Sequence, residues 1–188
     1  MTQNTALDHA NIARIADRIG KPIVLVGLMG VGKSTVGRRL ASILERDFVD
    51  ADEAIEEAAQ LTTSEIFEQF GEEYFRDGER RVIARLIDER EGVIATGGGA
   101  FVDDETRALI LDQAIAVWID CDIDILVERT ARRDTRPLLK NGNPREILTN
   151  LYNARFPFYR QAQVRVESRN GAHAETAHAI IEAIDQWL

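Results

Sequence analysis

At 188 residues, with 45% hydrophobic and 29% charged side chains, the chain has the composition of one globular domain, large enough to bury a single core without staples. No apolar run approaches the ~20 residues that span a bilayer, and one cysteine, Cys121, permits no intramolecular disulfide, while no Cys or His pair has zinc-ligand spacing. A net charge of -9 repels a phosphate backbone, so neither a nucleic-acid nor a membrane partner is expected.

The first twenty residues carry Asp8 and Asp17 and lack the apolar core of a secretory signal, so a cytoplasmic protein is expected. Leu7, Ile12, Ile15, Ala16 and Ile19 recur at helical spacing and predict a short amphipathic helix over 5–20 that stops at Gly20. This segment, 1–20, reads as an N-terminal extension to one domain over 21–188. The run Ile23-Val24-Leu25-Val26, between Pro22 and Gly27, predicts a strand buried on both faces.

A helix over about 32–45 and a short strand over 47–50 follow, then helices near 52–59 and 64–91, the second divided at Gly71. The run 93–96 reads as a strand that empties into Gly97-Gly98-Gly99. A helix over 103–112 precedes a strand over 114–119, and Asp122 is placed to cap a helix reaching about Arg133. Asp134, Pro137, Asn141, Gly142, Asn143 and Pro144 favour turns, so 134–144 is expected to be a mobile loop. A helix over 145–156, a strand over 163–167 and a helix over 174–188 complete the chain. Strands alternating with helices predict an α/β fold with an open, mostly parallel sheet covered on both sides, whose ligands bind at the carboxyl ends of the strands.

The segment Gly27-Leu28-Met29-Gly30-Val31-Gly32-Lys33-Ser34-Thr35 fits a glycine, four residues, then Gly-Lys-Ser. Glycines let consecutive amides turn toward phosphate oxygens, and the following helix adds its positive end. Gly30, Val31, Gly32, Lys33, Ser34 and Thr35 are therefore assigned to ATP. Lys33 reaches the β- and γ-phosphates, and the Ser34 hydroxyl is a magnesium ligand. The alternative is a glycine-rich turn that merely joins a strand to a helix, but the match sits between an apolar strand and an amphipathic helix, the context that confirms the motif.

A phosphate loop fixes the donor and leaves the acceptor open. Asp50 and Asp52 point to opposite faces if the strand continues and converge if it breaks, and either could instead cap the next helix. Phe75-Arg76-Asp77-Gly78-Glu79, the triple glycine, Arg136-Pro137-Leu138-Leu139 and Arg155-Phe156-Pro157-Phe158-Tyr159 follow. Of 23 basic residues only Lys21, Lys33 and Lys140 are lysine, so planar forks suited to carboxylate and phosphate are plentiful. Taken singly, Arg76 reads as a surface ion pair and Tyr159 as core. His9, His173 and His178 read as surface residues.

In this order the motifs resemble those of the shikimate kinase family over about residues 22–188. The resemblance implies a three-layer sandwich of nucleoside-monophosphate-kinase type with a five-stranded parallel sheet in the order 2-3-1-4-5. It also implies a substrate-binding region over about 50–90 and a lid over about 133–144. It implies transfer of the γ-phosphate of ATP to the 3-hydroxyl of shikimate, with Mg2+, by a monomer. Asp52 would hold the ring hydroxyls and act as base, Asp50 would hold magnesium through water, and Arg76 and Arg155 would grip the carboxylate. Glu79 would support Arg76, Gly97, Gly98 and Gly99 would line the pocket, Arg136 would swing in with the lid, and Arg129 would lie against adenine.

Two departures stand out. The family often has a proline after the last strand where this chain reads Ser168-Arg169-Asn170-Gly171-Ala172-His173, so the resemblance leaves adenine contacts in that loop open. The strand ending at Thr96 lacks the acidic residue of a common second nucleotide motif, a duty that falls to Asp50. The competing readings are a kinase for another hydroxy acid such as gluconate and a non-catalytic ATP-binding switch.

Overall fold

The computed structural model describes residues 7–89, 92–132 and 142–188. Ile23–Val26 forms β1, buried along its whole length as its branched apolar run requires. Ahead of it, α1 (His9–Arg18) starts where the Asp8 carboxylate accepts the Asn11 amide at 2.8 Å. Ile12, Ile15 and Ile19 are buried. The Arg46 guanidinium donates to the carbonyls of Ala16 at 3.0 Å and Ile19 at 2.6 Å, closing the carboxyl end of α1.

The chain continues as α2 (Lys33–Ile43), β2 (Phe48–Asp50), α3 (Ala51–Ala59), α4 (Thr63–Asp88) and β3 (Val93–Ala95). One 3-10 turn at Ala100–Val102 leads to α5 (Asp104–Gln113) and β4 (Ile115–Cys121). Then come α6 (Ile123–Ala131), α7 (Pro144–Tyr159), β5 (Val164–Ser168) and α8 (His173–Trp187). Every strand pair is parallel, in the order β2-β3-β1-β4-β5 that the resemblance implied. Val24 pairs with Ile94 on one side and Ala116 on the other, so β1 holds the centre. The apolar burial alternates only in β5, which lies at the sheet edge. Helix α8 packs on α2 and β5, α1 lies against α8, and α5 packs on β4 beside α4.

Several boundaries differ from the sequence reading, those of β4 and α7 for evident local reasons. Strand β4 runs two residues further because Asp120 and Cys121 pair with Glu167 and Ser168 of β5. Helix α7 begins at Pro144 rather than within a loop, since Asn143 caps it by accepting the Arg145 amide at 3.0 Å and a first-turn proline loses no intrahelical bond. Its other end passes through Pro157 to Tyr159, so the proline sits inside the helix. The kink expected at Gly71 is present in α4, where that residue takes φ 84° and ψ 175°. The core of the predicted loop, 133–141, lies outside the described residues, and Arg136 with it.

Candidate active site

The carboxyl ends of the parallel strands open into a cleft of about 710 Å³. The phosphate loop forms its floor. Gly27, Gly30 and Gly32 all take positive φ, and a Cβ on Gly27 would stand 2.6 Å from the Ile119 carbonyl oxygen. Gly32 caps α2 without any side-chain bond. Lys33 is buried and folds back over the loop, donating to the carbonyls of Gly27 at 2.7 Å and Leu28 at 2.9 Å. Gly30, Gly32, Ser34 and Thr35 line the cleft with it, while Val31 is buried behind them.

Beside the loop, β2 ends at Asp50 and α3 starts at once, so the strand breaks between the two aspartates and both face the cleft. Asp50 is indeed the helix cap: its Oδ1 accepts the amides of Asp52 at 3.0 Å and Glu53 at 3.4 Å. Its Oδ2 accepts the Ser34 hydroxyl at 2.5 Å. Capping and facing the phosphate loop therefore coexist in one side chain. Burial first, then the charge of Asp50, pushes the Asp52 carboxyl above its ordinary range, while Lys33 and Arg76 pull it back.

Opposite lies the turn after β3. None of Gly97, Gly98 and Gly99 has positive φ, so conformation does not demand glycine. Space does. A Cβ on Gly97 would stand 2.8 Å from Asp52 Oδ1, one on Gly98 2.7 Å from Arg155 Nη1, and one on Gly99 would run into the Arg76 guanidinium. Three consecutive glycines thus admit three charged groups from α3, α7 and α4. Thr96, just before them, donates its hydroxyl to the Leu25 carbonyl at 2.8 Å and ties β3 to β1, a structural use for the position that lacks an acid.

Each arginine is held from behind. Arg76 donates through Nη1 to Glu79 at 2.7 Å, and Glu79 is 1% exposed. Burial raises the Glu79 carboxyl above its ordinary range, with Arg76 opposing. Arg76 is therefore no surface ion pair. Arg155 interacts with Tyr159, whose hydroxyl donates to the Gly98 carbonyl at 2.5 Å; burial raises that phenol, and Arg155 lowers it. Tyr159 is core, as read from the sequence, but it is also the post on which Arg155 and the glycine turn rest. Its place one helical turn after Arg155 on α7 was the available signal.

The far end of the cleft is bounded by Glu128, Arg129, Arg132, Asn170, Gly171 and His173. Arg129 donates to the carbonyls of Val31 at 3.2 Å and Arg169 at 2.8 Å, bridging the phosphate loop and the segment after β5. The loop whose adenine contacts were left open forms a wall of the cleft through Asn170, Gly171 and His173, and His173 is exposed, as expected. Cys121 is buried, with its thiol pushed up to about 11 by desolvation, and has no reactive thiolate to offer. No helix among the described residues is long and apolar enough to cross a membrane.

The family model described as shikimate kinase matches residues 29–185. A shikimate kinase from Novosphingobium aromaticivorans is 60% identical over 186 residues, 97% of this chain and 96% of that one. One from Caulobacter vibrioides is 55% identical over 166 residues, 88% of this chain and 83% of its own. Among solved structures, the shikimate kinase from Acinetobacter baumannii in complex with shikimate matches with a TM-score of 0.81 and 39% identity. It covers 88% of this chain and 93% of that one.

Proposed function

This chain belongs to the shikimate kinase family, and from that premise we propose that it transfers the γ-phosphate of ATP to the 3-hydroxyl of shikimate, giving shikimate 3-phosphate and ADP. The observation that carries the reading is the meeting of Asp52, Arg155 and Arg76 at three successive glycines across the cleft from Lys33.

Arg76 and Arg155 take the substrate carboxylate between them. Two guanidinium forks match the two oxygens of a carboxylate, and their supports on Glu79 and Tyr159 fix where the acid lies. That anchor turns the ring hydroxyls toward Asp52. As the new P–O bond forms, the hydroxyl proton passes to an Asp52 carboxylate oxygen, and the bond from the γ-phosphorus to the bridging oxygen breaks with ADP as leaving group. The raised affinity of Asp52 for a proton suits it to accept one near neutral pH. Lys33 moves from its two loop carbonyls to the phosphate oxygens, where positive charge offsets what develops in flight.

The oxygen donors Ser34 and Asp50 fit a magnesium ion, a hard cation that keeps several waters and takes few protein ligands. When bound there it supplies charge neutralisation on the β- and γ-phosphates.

The test is a coupled ADP-release assay with magnesium and, in parallel, shikimate, gluconate and nucleoside monophosphates as acceptors. ADP formation with shikimate alone is expected. Turnover confined to gluconate would overturn the substrate, and nucleotide binding without turnover on any acid would replace the enzyme with a switch.

A further inference from the structure

We infer that Arg107, on the first turn of α5, is a positioning residue for the acceptor acid: by tying the 3-10 turn after the triple glycine to the end of α7, it sets where Arg155 stands over Gly98. The inference rests on the kinase reading above and adds to it a residue outside the lining of the cleft. The Arg107 side chain is 13% exposed, and its donors are spread over two segments. Nη1 donates to the carbonyls of Phe101 at 3.3 Å and Val102 at 3.1 Å, and Nη2 to Asp104 at 2.5 Å. Nε donates to Gln161 Oε1 at 3.2 Å, and Cζ lies 5.0 Å from the centroid of the Phe158 ring.

The two carbonyls stand at the carboxyl end of the Ala100–Val102 turn, where a short helix runs out of its own amides and takes donors from elsewhere. Phe158 and Gln161 mark the end of α7, and Gln161 itself donates Nε2 to the Pro157 carbonyl at 3.0 Å. These same two segments meet at the carboxylate site. There the Tyr159 hydroxyl holds the Gly98 carbonyl, and Arg155 Nη1 lies where a Cβ on Gly98 would come within 2.7 Å. One bond alone would let the glycine turn pivot against α7. The Arg107 fork is a second tie between the pair, and two ties fix both distance and angle. Lysine cannot do this, because its single point charge has no planar fork to bridge the segments. Misplacing a substrate-gripping group by about 1 Å can cost up to ~10²-fold in activity, so a residue that touches no substrate still governs the grip on the acid.

The test compares the full-length protein with Arg107→Met and Arg107→Lys in steady-state ADP release, varying shikimate at saturating ATP and the reverse, with melting temperatures as a check on folding. Methionine keeps an apolar stem beside Phe158 and removes every donor. It is expected to raise KM for shikimate about five- to twentyfold while KM for ATP stays within about twofold. Lysine keeps the charge and one donor, so its rise is intermediate, about three- to fivefold, and it serves in place of methionine if that variant does not fold. A double-mutant cycle with Arg155→Ala separates positioning from general loosening: once Arg155 is gone, the change at Arg107 should add less than about twofold to KM for shikimate. An unchanged KM for shikimate, an equal rise for ATP, or an undiminished effect in the Arg155→Ala background would overturn the inference. A parent protein without shikimate-dependent turnover would instead overturn the reading beneath it, so the two failures are distinct.

Discussion

Replacing Gly98 by alanine adds one methyl group at the point where the turn after β3 meets Arg155. The new Cβ would stand 2.7 Å from Arg155 Nη1, against 3.4 Å for ordinary contact, so the guanidinium must withdraw by about 0.7 Å. Gly98 does not have positive φ, so alanine strains no backbone. The clash falls on the end of a flexible side chain, and the fold survives. What is lost is the grip on the substrate carboxylate. A hydrogen bond to a charged group is worth about 1.5–3 kcal/mol, so KM for shikimate should rise by roughly 10- to 150-fold. The methyl group lies on the acceptor side, so KM for ATP should change by less than about twofold. Steady-state ADP release with each substrate varied in turn, alongside a thermal melt, reads all three quantities. An unaltered KM for shikimate, or an equal rise for both substrates, would refute the account of why glycine stands there.

Asp52→Asn should abolish turnover yet raise the melting temperature at neutral pH. The folded state holds this carboxyl above its ordinary range, so it binds more protons than the unfolded chain. Its contribution to stability is fully present below the unfolded value, ~3.9, and is lost as pH rises through the folded one. Melts of both proteins from pH 4 to 8 should therefore diverge with increasing pH, and parallel curves would count against a buried, charge-crowded Asp52. Lys33→Ala should lower kcat by at least about 10²–10³-fold with the circular dichroism spectrum retained, because it removes a cation from the phosphates in flight. Near-normal turnover would disprove that role. Ile15, 1% exposed on the buried face of α1, should cost about 2–4 kcal/mol of stability when cut to alanine, measured by urea unfolding, and leave KM for both substrates unchanged.

What the sequence disclosed, and what it withheld, follows from the range of the interactions. Ile23–Val26 and the glycine-rich loop are local patterns, and each folds as its own residues dictate. The strand order depends on pairings between distant segments, and it came from the family resemblance rather than from any periodicity. Asp50 and Asp52 were ambiguous because convergence turned on whether β2 broke between them, which the capping bonds of Asp50 decide. The triple glycine was visible, but its purpose was not, since each missing side chain makes room for a residue 23 to 57 positions away, on three different helices. His173 was passed over because exposure in sequence terms does not distinguish open solvent from the wall of a cleft.

The central claim is that the acid lies with its carboxylate between Arg76 and Arg155 and a ring hydroxyl at Asp52. A crystal structure with ADP, magnesium and shikimate bound tests it most directly. The account predicts carboxylate oxygens within hydrogen-bond distance of both guanidinium groups and a hydroxyl within ~3.2 Å of an Asp52 oxygen, on the side facing Lys33. Shikimate bound the other way round, with its carboxylate toward Lys33 and its hydroxyls away from Asp52, would contradict it.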